Sequence, residues 1–535
     1  CNAIICSRDS IRKQECTLVL IKSGRWENEN MIRIDSEKKN GHINKELHGQ
    51  FIEFLGSCIY DGIWVGEDSA IPNYGGMRKD AVDALKELAP PVVRWPGGCY
   101  ADTYHWKNGI GPREERPITY NENFGTYEPD SNQFGTHEFM KLCEMIGAKP
   151  WLNINMMTGS TEEMRDWMEY CNRKQETTLS LKRKENGADQ PFDVELWGIG
   201  NEVWAGGGTM TAESYAAEYR KYATAFPSFI SLEGGETDQP AMKRIASGPD
   251  GNKPQERVQW TKDFFKELGK YRRPEIDGYD LHFYNWNLGN LNLKEWEYSE
   301  EEWDSVISGC MELEEVIKEQ ADLIKEGIEA LPEEEGYFKR EKPTCDLIVG
   351  EWGNWHGAAF VNRPALFQQC TMRDAITTAL TLDIFHRNCK DVKMACVAQT
   401  VNVLNSLILT EGETCIKTPN YDIFQMYKVH RDAEALDIVS QEKKVHVFAS
   451  VKDGKIYVNL VNTSMAEETD IQLSFSDLRK YSSGQVLESV DPHAFNTKEN
   501  PDRIRVKDAE KPQEENGEFT VHMNAASVQV LCFEQ

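Results

Sequence analysis

Two glutamates have the surroundings of catalytic groups, because each ends a short apolar run that is rich in glycine and tryptophan. Glu202 ends the segment Glu195–Glu202, and Glu351 ends Leu347–Glu351 just before Trp352. A lone acidic residue at such a place is most often a salt-bridge partner or a helix cap, and the chain has 88 acidic residues. Two in similar contexts instead favour a pair acting on one bond, one carboxyl donating a proton while the other attacks.

The elements that would position this pair are short β-rich runs alternating with longer amphipathic stretches between Phe51 and about Lys428. Eight alternations predict an α/β fold, a closed (β/α)8 TIM barrel. The predicted strands are Phe51–Leu55, Val92–Trp95, Trp151–Met156, Glu195–Gly200, Ile245–Gly248, Tyr279–Tyr284, Leu347–Gly350 and Met394–Gln399. Because the carboxyl ends of barrel strands face the active site, Glu202 and Glu351 are expected to meet at the barrel mouth, after the fourth and seventh strands.

Apolar residues recurring at three and four predict the intervening helices. They are expected at Arg78–Leu88, Thr136–Ile146, Thr161–Tyr170, Ala212–Ala225 and Leu366–Phe385. The acidic stretch Tyr298–Glu334 is interpreted as one long surface helix with a solvated charged face, not as a site.

Beyond about Arg431 the pattern changes to strict alternation, with Asp453-Gly454 as a turn, which predicts an accessory antiparallel β-sandwich. The early run Met31–Ile34 is expected to add a strand to it. The predicted domains are therefore an N-terminal extension of unassigned role (1–30), strands joining the β-sandwich (31–47), the barrel (48–430) and the C-terminal β-sandwich (431–535).

A pair of carboxyl groups of this kind cleaves glycosidic bonds, and several polar residues near the predicted strand ends could hydrogen-bond the hydroxyls of a sugar. Asn201 precedes Glu202 directly, and Tyr284 closes the sixth strand, although a core tyrosine is the alternative. Glu53 interrupts an apolar run, and a buried carboxylate is costly unless it is paired or faces a ligand. Gln399 on the eighth strand is its uncharged counterpart.

Two residues after the second strand are ambiguous. Trp106 could stack on a sugar face or pack in the core. Cys99 follows Pro96-Gly97-Gly98, but no third group suggests a cysteine–histidine dyad, so a nucleophilic role is not favoured.

Composition and motifs narrow the function further. A net charge of −28 argues against nucleic acid as a partner. No apolar run is long enough for a membrane span. The 11 histidines include no zinc-type spacing, and no phosphate-binding glycine motif is present, so neither metal nor cofactor is expected. Fourteen scattered cysteines indicate reduced thiols and a cytoplasmic protein, while the first residue, Cys1, leaves a secreted or lipid-anchored form open.

The chain resembles the glycoside hydrolase family 51 α-L-arabinofuranosidases from about Met31 to Gln535. The matching segments are Phe51–Glu53, Arg94–Gly98, His105–Trp106, Gly109–Arg113, Trp197–Glu202, His282–Tyr284, Val349–Trp352, Ile384–Arg387, Val401–Leu404 and Phe424–Tyr427. Two departures are visible: Cys99 stands where some members carry Asn, and Gly350 precedes the second glutamate where Asp is frequent.

The resemblance implies that Glu202 is the general acid/base, that Glu351 is the nucleophile, and that the assembly is a homo-oligomer such as a hexamer. It implies arabinose contacts from Glu53, Asn201, Tyr284 and Gln399, with Cys99 and His282 completing the sugar-binding set. Trp106 and Trp355 would shape the entrance.

The resulting hypothesis is retaining exo-hydrolysis of terminal α-L-arabinofuranosyl residues from arabinan or arabinoxylan oligosaccharides. Two alternatives stay open at this point. One is a β-xylosidase or β-glucanase on the same machinery, and the other is a non-catalytic sugar-binding protein on a hydrolase scaffold.

Overall fold

The computed structural model describes residues 31–123, 126–228, 241–289, 294–333, 341–440 and 444–535. The N-terminal extension (1–30) lies outside the described residues. Strands and helices are numbered along the chain.

Eight parallel strands close into a barrel in which each strand pairs with the next barrel strand along the chain, so the predicted (β/α)8 fold is confirmed. The barrel strands are β2 (Gly49–Phe51), β5 (Val92–Trp95), β8 (Lys149–Ile154), β9 (Leu196–Ile199), β10 (Lys243–Asp250), β11 (Gly278–Asn287), β12 (Asp346–His356) and β13 (Val392–Val397). Each overlaps or adjoins its predicted run. The first prediction was placed too late, because β2 ends at Phe51 and Glu53 already accepts the amide proton of Leu55 in a turn.

Helices surround the barrel. Those of the described residues are α1 (Lys79–Leu88), α2 (Thr136–Ile146), α3 (Thr161–Asn172), α4 (Thr178–Glu185), α5 (Ala212–Thr224), α6 (Pro254–Leu268), α7 (Glu300–Ala330), α8 (Met372–Arg387) and α9 (Pro419–Tyr427). Five of them match predicted helices closely. The sixth prediction, Leu366–Phe385, began too early, because Thr371 caps α8: its side chain accepts from the Arg373 amide, and Asp374 accepts from the Thr371 amide at 2.8 Å.

The long helix α7 has the predicted one-sided burial. Ile307, Leu313 and Ile324 face the core, while its acidic residues lie outside. Ser299 starts the helix by accepting from the Glu302 amide, and Glu302 accepts in return from the Ser299 amide at 2.8 Å. The predicted end at Glu334 lies outside the described residues. None of the described helices combines the length and apolarity needed to cross a bilayer.

A second, ten-stranded sheet curls around its own apolar core. Its strands are β1 (Met31–His42), β16 (Glu434–Ser440), β17 (Val445–Lys452), β18 (Lys455–Asn462), β19 (Thr469–Phe475), β20 (Lys480–Glu488), β21 (Lys507–Asp508), β22 (Gln513–Glu515), β23 (Glu518–Met523) and β24 (Ser527–Glu534). Asp453 and Gly454 form the predicted two-residue turn, both with positive φ (52° and 78°). Strand β1 lies between β16, with which it is antiparallel, and β19, with which it is parallel.

Three two-stranded hairpins complete the described strands: β3 (Asn73–Tyr74) with β4 (Met77–Arg78), β6 (Thr119–Asn121) with β7 (Glu128–Asp130), and β14 (Ile408–Glu411) with β15 (Thr414–Lys417).

A buried histidine cluster joins the barrel to the ten-stranded sheet. The Nε2 atoms of His48 and His386 lie 2.9 Å apart, and His430 contacts Ser450 Oγ at 2.8 Å and Asn459 Oδ1 at 2.7 Å. Burial lowers the pKa of His386 and of His430 to about 3, so both rings are neutral at pH 7.

Candidate active site

The structure brings Glu202 and Glu351 together at the barrel mouth. One carboxylate oxygen of each, and one ring nitrogen of His282, all lie within 4.8 Å of one another. Glu202 follows β9 on a left-handed backbone (φ 39°), and Gly200 before it has φ 83°, so the chain turns sharply where β9 ends. A side chain at Gly200 would meet Val203 Cγ1 at 2.8 Å and Met156 Sδ at 2.9 Å. Glu351 lies within β12 itself.

Arg94 of β5 connects the second glutamate to Asn201. Its guanidinium donates from Nη1 to Glu351 Oε1 and from Nη2 to Asn201 Oδ1, both at 2.6 Å. The side chain is fully buried, and its guanidinium carbon lies 4.6 Å from the centre of the Phe51 ring. Sequence reasoning missed this residue, although the signal was the one used for Glu53, a charge inside an apolar run.

Glu351 is held in its ionised form. Burial by itself raises its pKa, but the charges of His282 and Arg94, together with hydrogen bonds from Arg94 and Tyr284, bring that pKa below its ordinary value. The Tyr284 hydroxyl donates to Glu351 Oε2 at 2.7 Å, so both carboxylate oxygens are engaged.

The pKa of Glu202 is shifted in the opposite direction. Burial and the negative charge of Glu351 raise its pKa, and a hydrogen bond from His282 only partly offsets them. Burial lowers the pKa of His282, yet the charges of Glu351 and Asp280 and its hydrogen bonds to Asp280 and Glu202 raise it to about 10. The imidazolium therefore donates from Nδ1 to Glu202 Oε1 at 3.0 Å, so Oε2 is the oxygen on which Glu202 can carry a proton. Cys99 Sγ lies 4.0 Å from that oxygen.

Glu53 and Gln399 form another wall of the site. Glu53 Oε1 accepts from the Tyr100 amide at 2.9 Å, and Oε2 accepts from Gln399 Nε2 at 2.8 Å. Burial, reinforced by the charge of Glu351, raises the pKa of Glu53 to about 8, so it is protonated at neutral pH.

Among the described residues, the polar atoms of the site that are buried without a hydrogen-bond partner include Arg94 Nε and one end of each of two amides, Asn201 Nδ2 and Gln399 Oε1. The other end of each amide is fixed, by Arg94 and by Glu53. A buried polar atom left unpaired costs about 1–3 kcal/mol, so the two amide atoms are suited to a polar ligand.

The predicted tryptophans differ in position. Trp355 packs edge-on against Tyr284 (5.0 Å between ring centres) and stacks on Trp286 (4.6 Å) and Phe360 (5.3 Å). Trp286 and Phe360 are each 42% exposed and continue this aromatic surface outward, and sequence reasoning missed both.

The entrance role predicted for Trp106 was wrong. Its side chain is 2% exposed, lies parallel to Trp167 and donates from Nε1 to the Glu163 carbonyl at 3.0 Å. The Trp106 indole packs against helix α3 from the loop that follows β5. It is therefore a core residue, the alternative that the sequence left open.

Within the described part of the chain, Glu202, His282 and Glu351 form the one group that could offer three ligand atoms to a metal ion. Both oxygens of Glu351 already accept hydrogen bonds, from Arg94 and Tyr284, and His282 donates to Glu202. The arrangement therefore suits an acid and a nucleophile better than a cation.

A (β/α)8 barrel with two buried glutamates at its mouth, one with a raised pKa and one with a lowered pKa, is the arrangement of a glycoside hydrolase. Residues 84–301 match the sequence profile of the α-L-arabinofuranosidase 1 domain, and residues 350–527 that of the α-L-arabinofuranosidase C-terminal domain. The chain is 35% identical over 517 residues to an intracellular exo-α-L-arabinofuranosidase of Bacteroides ovatus, covering 94% of this chain and 95% of that protein.

Solved structures agree with the sequence matches. The GH51 arabinofuranosidase from Xanthomonas axonopodis pv. citri superposes with a TM-score of 0.85 at 31% identity, covering 94% of this chain and 99% of the other. The α-L-arabinofuranosidase from Thermotoga maritima, in an arabinose complex, gives 0.77 at 27% identity, with coverage of 94% and 99%. The chain belongs to glycoside hydrolase family 51, the α-L-arabinofuranosidases. The predicted family, enzyme class and exo-α-L-arabinofuranosidase activity are thereby confirmed.

Proposed function

We propose that this enzyme removes terminal α-L-arabinofuranosyl residues from arabinan or arabinoxylan oligosaccharides with retention of configuration, using Glu351 as nucleophile and Glu202 as general acid/base. The observation that carries the proposal is the spacing of the two carboxylates, which approach within 4.8 Å. Retaining enzymes keep their two carboxyl groups about 5–5.5 Å apart, whereas inverting enzymes need about 6.5–9.5 Å to admit a water molecule.

The first step begins with Glu351 as a carboxylate. One of its oxygens attacks the anomeric carbon, the bond from that carbon to the leaving oxygen breaks, and the leaving oxygen takes the proton of Glu202. His282 stabilises the carboxylate that Glu202 becomes, because its imidazolium already donates to Oε1.

In the second step Glu202 acts as the base. It takes a proton from water, the water oxygen attacks the anomeric carbon, and the ester bond to Glu351 breaks. Arg94 and Tyr284 receive the restored Glu351 carboxylate with the two hydrogen bonds that they already make. The enzyme thus ends the cycle in its starting protonation state.

Recognition of the sugar is assigned to the unpaired amide atoms of Asn201 and Gln399 and to the protonated carboxyl of Glu53. These buried groups can pair with hydroxyls, and the Asn201 contact would strengthen as the oxocarbenium-like transition state forms. Tyr284, His282 and Cys99 complete the wall. Arabinose-containing substrates fit this set of small, closely spaced polar groups.

A cleft of about 560 Å³ lies between the turn after β2, the β6–β7 hairpin and the loop after β12. Tyr60, Asp130 and Arg363 are among its lining residues. Phe54, which lines this cleft, directly follows Glu53 in the chain, and we propose that the cleft holds part of the leaving oligosaccharide.

The proposal is tested by rates on aryl α-L-arabinofuranoside, aryl β-xyloside and aryl β-glucoside. We expect a strong preference for the arabinofuranoside, and proton NMR of early product should show the α anomer. A preference for either β-pyranoside, or release of the β anomer, would overturn the substrate or the stereochemistry.

Two variants test the assigned roles. Glu351→Ala should abolish turnover, whereas Glu202→Ala should be rescued by azide on a substrate with a good leaving group, because azide needs no general base. Exposed Glu144 offers a matched control, and Glu144→Ala should keep wild-type rates. Normal turnover by Glu351→Ala, in a preparation free of other hydrolases, would contradict the nucleophile assignment and favour another site.

Assembly and compartment remain predictions. We propose a homo-oligomer such as a hexamer, and light scattering should then give a mass that is a multiple of 61.2 kDa. The cysteines of the described residues are all free thiols, which favours a reducing compartment such as the cytoplasm.

A further inference from the structure

We propose that Asp280 is a positioning residue for the hydrolysis, because its carboxylate fixes both the backbone bulge that carries Glu351 and the ring of His282. The proposal rests on the functions proposed above for Glu202 and Glu351. Asp280 lies on β11, two residues before His282, and its side chain is 7% exposed.

The bulge is visible in the pairing of β11 with β12. Leu281 pairs with Val349, but the next residue, His282, pairs with Glu351, so Gly350 is an extra residue in β12. A bulge leaves its extra residue outside the ladder and redirects the following side chain. Asp280 Oδ1 accepts from the Gly350 amide at 2.7 Å and so satisfies the proton that the ladder leaves unpaired. The direction of Glu351 therefore depends on a side chain from the neighbouring strand.

Gly350 and Asp280 fit as a matched pair. A Cβ on residue 350 would lie 2.3 Å from Asp280 Oδ1 and 2.5 Å from Oδ2, closer than real contacts allow. The absence of a side chain at position 350 thus creates the space that the Asp280 carboxylate fills. Gly350 stands where the family frequently has Asp, and in this chain the carboxylate beside that position comes from Asp280 on the neighbouring strand.

The second oxygen of Asp280 faces the cationic groups of the site. Oδ2 lies 3.2 Å from His282 Nε2 and 3.9 Å from Arg94 Nη2. The Asp280 carboxylate accepts the Nε2 proton, which fixes the ring orientation and favours the imidazolium, and the imidazolium also carries a proton on Nδ1 that points at Glu202. The other charged or titratable groups that act on this ring are Glu202, Glu351 and Asp250.

One carboxylate thus supports both catalytic glutamates without touching either of them. Loss of its charge should slow the chemical steps, in which Glu351 attacks and Glu202 transfers a proton. Sugar binding should change little, because the hydrogen bonds that fix Asn201, Gln399 and Glu53 are made with Arg94, with each other and with the Tyr100 amide, and not with Asp280. The expected signature is a fall in kcat with a nearly constant KM.

The test compares Asp280→Asn with Asp277→Asn. Asp277 precedes the same strand at the opposite end of the barrel and also accepts a backbone amide from the neighbouring strand, that of Arg244, at 2.8 Å. An asparagine at 280 can still accept from the Gly350 amide but carries no charge. We expect Asp280→Asn to lower kcat by about 10- to 100-fold, the equivalent of one charge-assisted hydrogen bond, with KM within about threefold. Asp277→Asn should keep kcat.

A second set keeps the proposal testable if Asp280→Asn does not fold. Gly350→Ala should lower kcat by displacing Asp280, and Gly350→Ala combined with Asp280→Ser should be no slower than Asp280→Ser alone, because the alanine then has space. Strictly additive losses in kcat, or an Asp280→Asn enzyme with kcat within twofold of wild type, would overturn the positioning role. Failure of the proposed function would give a different result, because the Glu351→Ala enzyme would then be active.

Discussion

Replacing Arg94 by lysine keeps a positive charge at the centre of the site but removes the planar guanidinium that donates to two partners. The guanidinium reaches Glu351 Oε1 and Asn201 Oδ1 at once, each at 2.6 Å, and a lysine ammonium is a compact point charge that cannot reproduce this planar fork. The positive charge keeps the ammonium near Glu351, so Asn201 loses its partner. Asn201 Nδ2 then has no fixed direction toward the sugar.

The size of the effect follows from one lost charge-assisted hydrogen bond. Such a bond contributes about 1.5–3 kcal/mol, and 1.36 kcal/mol corresponds to a factor of ten in rate. We therefore expect kcat/KM of Arg94→Lys on aryl α-L-arabinofuranoside to fall by roughly 10- to 150-fold. A buried Asn201 oxygen without a partner should also lower the free energy of unfolding, by about 1–3 kcal/mol.

The control is Arg183→Lys. Arg183 is also fully buried, but it donates to the carbonyls of Tyr170, Arg173 and Ala188 beside α4, away from the mouth. Both variants should lose thermal stability, and only Arg94→Lys should lose kcat/KM. A folded Arg94→Lys enzyme with kcat/KM within twofold of wild type would refute the view that Arg94 orients Asn201 for catalysis.

Three further predictions concern protonation. The kcat/KM profile should be bell-shaped, falling below the lowered pKa of Glu351 and above the raised pKa of Glu202, and a profile that is flat from pH 4 to 9 would contradict these assignments. The KM of the wild type should rise above about pH 8 as Glu53 loses its proton, whereas that of Glu53→Gln should stay constant from pH 7 to 9. The neutral form of His386 contributes stability above the unfolded pKa near 6.5, and this stability is lost as the pH falls toward the folded value of about 3. Between these two pH values, the free energy of unfolding in urea should therefore decrease as the pH falls, and the slope should be about 1.4 kcal/mol per pH unit smaller in His386→Gln than in wild type. Equal slopes would exclude this role.

The features that the sequence predicted best were local ones. Periodicity is a property of consecutive residues, so the eight barrel strands, α2 and the Asp453-Gly454 turn were all foreseen. The meeting of Glu202 and Glu351 required only the order of the strands around a barrel. Glu53 and Gln399 stood out because polar groups in apolar runs need partners.

What the sequence did not predict depends on contacts between strands. Arg94 belongs to the site because its guanidinium donates both to Glu351 on β12 and to Asn201 in the loop after β9. The residues next to Arg94 in the chain do not specify these partners. Asp280 and Gly350 act together only because a bulge shifts the register by one residue. Trp106 was misplaced because an indole that packs against Trp167 and one that faces a sugar look alike in a sequence.

Strand β1 has a consequence for how the protein is made. It leaves the ribosome early, yet both strands that flank it in the sheet, β16 and β19, are synthesised about 390 or more residues later. At translation rates of roughly 5–20 residues per second, this segment waits about 20–80 s for its partners. Its apolar side chains, Ile32 and Ile34, are completely buried in the finished sheet and exposed until then. The newborn chain must therefore pass through a period in which this unpaired strand can pair with the wrong neighbour, and a chaperone that covers the segment would protect it during that period.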